Sequence, residues 1–319
     1  MEPVPRPAEP SAGNRPPERK LAPSALPAPD AVVLPETLLY RLKRRLLGQP
    51  IASERQATER LGKPTALAVL SSDVISSSAY ATEEILVELL PFVGLAAFSL
   101  VVPITLAVLA VLVMVTLSYL EVVKVYTKAG GAYVVARENF GPNVAQVAAV
   151  ALLIDYTLTV AVSVAAGVAA LTSVFGSLTG ATVWISIALV VLIAYGNLRG
   201  VREAGRIFAV PTYFFIANML LMLCVGIVRW AGGQLHTHSI HAAGALPAGH
   251  PGGGLLLGAS LFIVLRAFAS GGTALTGTEA ISNGVSVFRQ PESRNARITL
   301  GMVAALLGTL VLGVALLSA

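Results

Sequence analysis

The chain has 319 residues, 55 % of them hydrophobic and 12 % charged, with a formal net charge of +5 and one cysteine. A mean hydropathy of +0.76 excludes an ordinary soluble domain, because such a composition takes lipid as its natural solvent. The single Cys224 excludes a disulfide framework and a cysteine-based metal cluster, and the basic residues fall in short groups between apolar runs, as membrane topology requires and a nucleic-acid surface does not.

Residues 1–36 are rich in proline, alanine, glutamate and arginine without any hydrophobic period, which predicts a disordered tail; a PxxP partner motif is the other reading. Residues 37–63 carry Arg41, Lys43, Arg44, Arg45, Arg55, Arg60 and Lys63. They suit either a helix lying on an anionic leaflet or a plain topogenic flank. Residues 64–319 form the membrane domain. The first apolar stretch is too long for a signal-peptide core, so it is expected to remain in the mature protein.

Seven spans are predicted, at 64–90, 98–122, 144–174, 183–197, 207–228, 255–287 and 298–317, each compared with the ~20 residues that cross a bilayer. The fourth is short and needs residues 198–201 to reach. Lysine and arginine mark every second connection: the N-terminal flank, then Lys124, Lys128 and Arg137, then Arg199, Arg202 and Arg206, then Arg289, Arg294 and Arg297. The stretches 91–97, 176–182 and 232–254 have neither. This alternation predicts a multi-pass protein of the cell's inner (plasma) membrane with a cytoplasmic N-terminus.

Spans one and six are interrupted by small and polar residues, over 71–82 and 270–279. A helix facing lipid cannot leave backbone groups unpaired, so a broken span is expected only where it lines a protein cavity or holds a substrate. If the first repeat has five spans, span six mirrors span one across a pseudo-two-fold axis, as in inverted-repeat carriers. The sequence stops at Ala319, directly after the seventh apolar run. The expectation is a partial carrier lacking the rest of its second repeat.

Ionisable side chains deep in a bilayer are costly and therefore functional candidates. Three stand out: Asp73 in the first break, Asp155 in the middle of span three, and Glu279 after the second break. Asp73, Ser77 and Tyr80 share one helical face, as do Tyr156, Thr159 and Ser163, and again Thr276, Glu279 and Asn283. These stripes offer carboxylate, hydroxyl and phenol oxygens, a ligand set for a hard cation that has shed part of its water. The carbonyl end of a broken half-helix adds partial negative charge. The plainer reading is that serine and threonine only join helices together.

Glu83, Glu84 and Glu88 near the end of span one read as a solvated vestibule or a cation-attracting funnel. Glu121 and Lys124 read as an i,i+3 ion pair. Cys224 reads as a packed core thiol. His236, His238, His241 and His250 lie in a long Gly- and Pro-containing loop without carboxylate or cysteine companions, so loop residues and a weak metal site are the two readings. No HExxH motif, nucleophile elbow or histidine within a span supports an enzyme, and no cofactor is expected.

The segment from Ser71 to Leu86 resembles the first helix of KimA-type potassium importers, members of the amino acid–polyamine–organocation (APC) superfamily. The likeness continues through Lys128–Tyr133 with Arg137–Gly141, Leu153–Thr159, Asn197–Glu203 and Gly272–Asn283, covering the chain from about Leu61 onward. It implies an all-α integral membrane, LeuT-like inverted-repeat transporter fold with helices one and six broken. It also implies proton-coupled potassium uptake. Carried over by position, the cation meets Asp73, Tyr80, Tyr156, Thr159, Ser163 and Thr276, with Asp73, Tyr80, Tyr156 and Thr276 as direct ligands of transported potassium. Asp155 and Glu279 are then the proton-linked carboxylates. The implied partners are the lipid bilayer, a small cation, the remaining half of the carrier and, as an option, a second copy of the chain in a homodimer; nucleic acid is not among them. The rival within the superfamily is an amino acid or polyamine permease. Such proteins receive a substrate carboxylate at a glycine-rich first break, whereas this break holds Asp73 and no glycine.

Overall fold

The chain divides into two compact units, Met1–Gly48 and Gln49–Ala319. In this computed structural model the described residues are 38, 60–198, 201–234 and 256–319, all but the first of them in the second unit. The proline-rich tail, the basic segment before Arg60, the loop histidines His236, His238, His241 and His250, and Arg199 lie outside the described residues.

The described residues of the second unit are helical apart from turns and a single bridge of strand type between Leu61 and Phe288. Six runs are long and apolar enough to cross a membrane. The first, Ser72–Val125, has 54 residues, more than twice the ~20 that one crossing needs, and it doubles back at the 3-10 turn Gly94–Ala96. Split at that turn, the first run gives two segments of crossing length, so seven such segments stand where the sequence predicts seven spans.

Span one is α1 (Lys63–Leu70), α2 (Ser72–Ser76), a 3-10 turn at Ser77–Ala79 and α3 (Ala81–Val93); span two is α4 (Ala97–Val125). A short helix, α5 (Gly131–Phe140), follows in what the sequence presented only as a connection. Spans three, four and five are α6 (Pro142–Val174), α7 (Thr182–Leu198) and α8 (Val201–Ala231). Span six is α9 (Leu261–Gly271), a 3-10 turn Gly272–Leu275, an unwound stretch and α10 (Ala280–Asn283); span seven is α11 (Glu292–Ser318).

Tight packing is concentrated in spans one, two, six and seven. α11 lies along α4, and α9 lies along α3. One core gathers Val74, Ile75, Val108, Leu112, Ile281, Phe288, Leu300 and Leu307 around the two breaks. A second joins Ile85, Leu89, Val93, Val101, Ile104 and Ile263 near the turn at Gly94. In α6 only Ala145, Val164 and Val168 are buried, and in α7 no residue is. Their apolar side chains need no protein neighbours, because lipid tails solvate them as well as another helix would.

Cys224 corrects an expectation: it is exposed, not packed in the core. Its neighbour Leu223 takes the inward position, 4 % exposed, against Gly313 of α11, where an added Cβ would lie 2.7 Å from Leu223 Cδ1. The next residue along a helix turns about 100° away, which carries Cys224 off that contact.

The start of span one is zipped to the end of span six. Leu61 N–H donates to the Val287 carbonyl (2.8 Å) and Arg289 N–H to the Leu61 carbonyl (3.0 Å), while Arg60 pairs with Glu292. α8 holds α1 from the other side: Thr212 Oγ1 donates to the Ala68 carbonyl (3.2 Å) and Tyr213 OH to the Pro64 carbonyl (2.9 Å). These contacts bring the two breaks to the same level.

Candidate ion site between two broken helices

In span one the break is shallow. Ser71 leaves the helix with φ −119° and ψ 7°, helical turns resume at once, and the backbone tightens to 3-10 geometry at Ser77–Ala79 before Tyr80 reopens the helix. The serines cap this stretch from within: Ser71 Oγ donates to the Leu67 carbonyl, Ser76 Oγ to Asp73 (2.8 Å), Ser77 Oγ to Val74 (2.6 Å) and Ser78 Oγ to Ile75 (2.6 Å). Back-bonding of this kind bends a helix and competes with its ladder without opening it.

Span six is opened fully. After the 3-10 turn, Thr276 is extended, with φ −61° and ψ 146°, and Gly277 has φ +80°, a left-handed conformation that side chains with a Cβ avoid. Thr276 Oγ1 donates to the Thr273 carbonyl and Thr278 Oγ1 to the Leu275 carbonyl, both at 2.9 Å. A hydroxyl that donates in this way keeps its lone pairs free to accept or to ligate.

The two breaks meet. A Cβ on Gly277 would stand 2.5 Å from Asp73 Oδ2 and 3.0 Å from Val74 Cγ2, so the aspartate carboxylate fills the space that the absent side chain leaves. Ser77 Oγ reaches the Ala274 carbonyl at 3.3 Å. Asp73, Tyr80 and Thr276 are each half-buried at this junction. A carboxyl group, phenol and hydroxyl oxygens and unwound backbone carbonyls gathered in one place suit a cation, because each of these oxygens presents partial negative charge.

The stripe on α6 is brought in only in part. Tyr156 OH accepts a hydrogen bond from Asn283 Nδ2 of span six, and Thr159 is half-buried. Asp155 and Ser163 are exposed on the same helix. Glu279 Oε1 is buried without a hydrogen-bond partner among the described residues, as is Asn283 Oδ1. An unpartnered buried acceptor is costly unless a water, a proton or a cation fills the gap.

Beyond the junction, Arg266 Nε pairs with Glu88 Oε2 at 2.8 Å, binding α9 to α3. This corrects the vestibule reading for Glu88, whose side chain is 16 % exposed; Glu83 stays exposed. Sequence reasoning passes over Arg266, although a lone arginine inside an apolar run is itself the signal, since it demands a counter-charge. Glu121 and Lys124 form the expected i,i+3 pair at 3.4 Å.

Residues 61–319 match the family described as amino acid permease. A relative, the potassium transporter KimA of Bacillus subtilis (strain 168), is 41 % identical over 281 residues, covering 88 % of this chain and 45 % of the relative. The chain thus spans about half the length of the curated relative that it matches.

Proposed function

The chain belongs to the amino acid permease family of the APC superfamily, an all-α family of membrane transporters, and from that premise we propose that it carries potassium or another monovalent cation inward, coupled to protons, by alternating access. The observation that carries this reading is the Asp73 carboxylate seated against Gly277, between two interrupted helices. An anion at that point attracts a cation and repels the carboxylate of an amino acid. The similarity to KimA, a potassium transporter, supports the same choice.

In the proposed mechanism the cation is held by Asp73, Tyr80, Tyr156, Thr159, Ser163 and Thr276, with Asp155 and Glu279 exchanging the proton. Binding draws spans one and six together, and their rocking against the remaining helices exposes the site alternately to the two sides. A LeuT-like inverted repeat, a plasma-membrane location and a cytoplasmic N-terminus belong to this proposal, as do the domain limits 1–36, 37–63 and 64–319, the completion of the core by a further transporter half and the optional homodimer. The family's own description favours the second reading, an amino acid or polyamine permease.

Growth of potassium-uptake-deficient cells at low potassium separates the two. Rescue that is lost in Asp73→Asn is the expected result. Absence of rescue together with uptake of a labelled amino acid or polyamine would replace the cation reading with the second one.

A further inference from the structure

We propose that Asn283 is a positioning residue that joins the cation site to the glycine turn between span two and α5, so that occupancy of the site orders that turn. This inference rests on the cation reading above and adds a path by which binding is felt at the far end of span six.

Asn283 is the last residue of α10 and touches three other elements or segments at once. Its Nδ2 donates to Tyr156 OH on α6. Its carbonyl accepts the Gly130 N–H at 3.0 Å, and its own N–H donates to the Glu279 carbonyl at 2.8 Å. Its Oδ1 is buried without a partner among the described residues and lies against Gly131, where a Cβ would overlap it and would also stand 3.1 Å from the Asn283 amide nitrogen. Gly130 and Gly131 have φ of +115° and +32°, so the turn is shaped by residues that tolerate left-handed backbone and leave room for the amide. One side chain is therefore oriented by the phenol proposed to face the cation, while its own backbone holds the turn.

The physical consequence is a linkage. A cation that draws the Tyr156 oxygen toward itself fixes the acceptor of the Asn283 amide. A fixed amide holds α10 in the register that accepts Gly130 N–H. Without the cation, the phenol oxygen and the amide are free to move together, and the turn loosens. Two sites that bias one such element are coupled reciprocally.

The test is hydrogen exchange of the 126–134 segment in the full chain, reconstituted in lipid, with rubidium chloride against an equal concentration of N-methylglucamine chloride. Radioactive rubidium binding is measured on the same samples. In the wild type, rubidium is expected to slow exchange of this segment about tenfold, within the usual range of coupling between sites. Asn283→Ala should bind rubidium and melt near the wild-type temperature yet lose that cation-dependent slowing. Tyr156→Phe, which removes the acceptor of the amide together with one proposed cation ligand, should lose it too at rubidium concentrations at which binding to the variant is shown to be saturated, and it serves as the reading should Asn283→Ala not fold. Rubidium-dependent slowing that persists in a folded variant overturns the inference, as does a wild type that binds rubidium with no change in the segment. A wild type that binds no rubidium overturns the cation reading itself.

Discussion

Spans one and six are both interrupted by runs of small and polar residues, but they break in different ways. Span one contains Ser71, Ser72, Ser76, Ser77 and Ser78 and stays close to helical throughout, with its hydroxyls returned to carbonyls of the preceding turn. Span six contains Gly271, Gly272 and Gly277 and comes undone at Thr276–Glu279, where Gly277 takes φ +80°. Serine weakens a helix by offering the backbone a rival partner, whereas glycine permits the chain to leave the helical region altogether. The contrast assigns the two breaks different work. Span one supplies a charged side chain from a firm support, and span six supplies the open backbone against which that side chain rests.

The sharpest way to break this comparison is Gly277→Ala. Left-handed backbone and a clash with the Asp73 carboxylate act together there, and we expect a destabilisation of about 3 kcal/mol with loss of rubidium binding. Thermal melting in detergent with a binding assay would read both, and near-normal values would mean that the open backbone of span six is dispensable. Asp73→Asn keeps the shape and removes the charge. The expected result is an approximately hundredfold weaker rubidium affinity, about 2.8 kcal/mol, from loss of a contact ion pair at intermediate dielectric, with melting little changed.

Smaller effects sharpen the comparison at its edges. Arg266→Ala leaves Glu88, 16 % exposed, without its partner, and should lower stability by about 1 kcal/mol given that the arginine is 56 % exposed. Glu88→Gln in the same background should recover part of that loss, and failure to recover it would show that the pair is not what joins α3 to α9. Ser77→Ala removes the hydroxyl that reaches Ala274 across the junction and should cost about 0.5 kcal/mol, read as a small downward shift in melting temperature. A loss several times larger would make that hydroxyl a principal tie between the breaks.

Much of the fold was legible because it depends on local composition. The seven spans appear where the apolar runs stand, and helix ends differ from the expected limits by three residues at most in spans two to four, while the helix of span five starts six residues earlier than expected. α5 was not legible as a helix, since Gly130 and Gly131 at its start and the charges Arg137 and Glu138 within it read as a polar connection. Of the site, the Asp73 and Thr276 positions were visible as polar residues at breaks. The contact of Asp73 with Gly277, the reach of Asn283 to Tyr156 and the pairing of Glu88 with Arg266 were not. Each joins residues more than a hundred positions apart, and a single sequence carries no trace of which faces of two helices meet.

What the sequence by itself determined is the solvent of this protein, the number of its crossings and the two places where they weaken. Hydropathy, helical period and the hydrogen-bonding habits of serine and glycine are properties of short segments, so they survive without any knowledge of the fold. Only the tertiary structure decided that the glycine-containing break opens while the serine-rich one holds, and that a carboxylate from one occupies the gap left by the other. Those outcomes depend on the packing of spans one, two, six and seven into shared cores, which sets the two breaks at one level and gives each a partner. The same packing turns Leu223 inward and leaves Cys224 outside it.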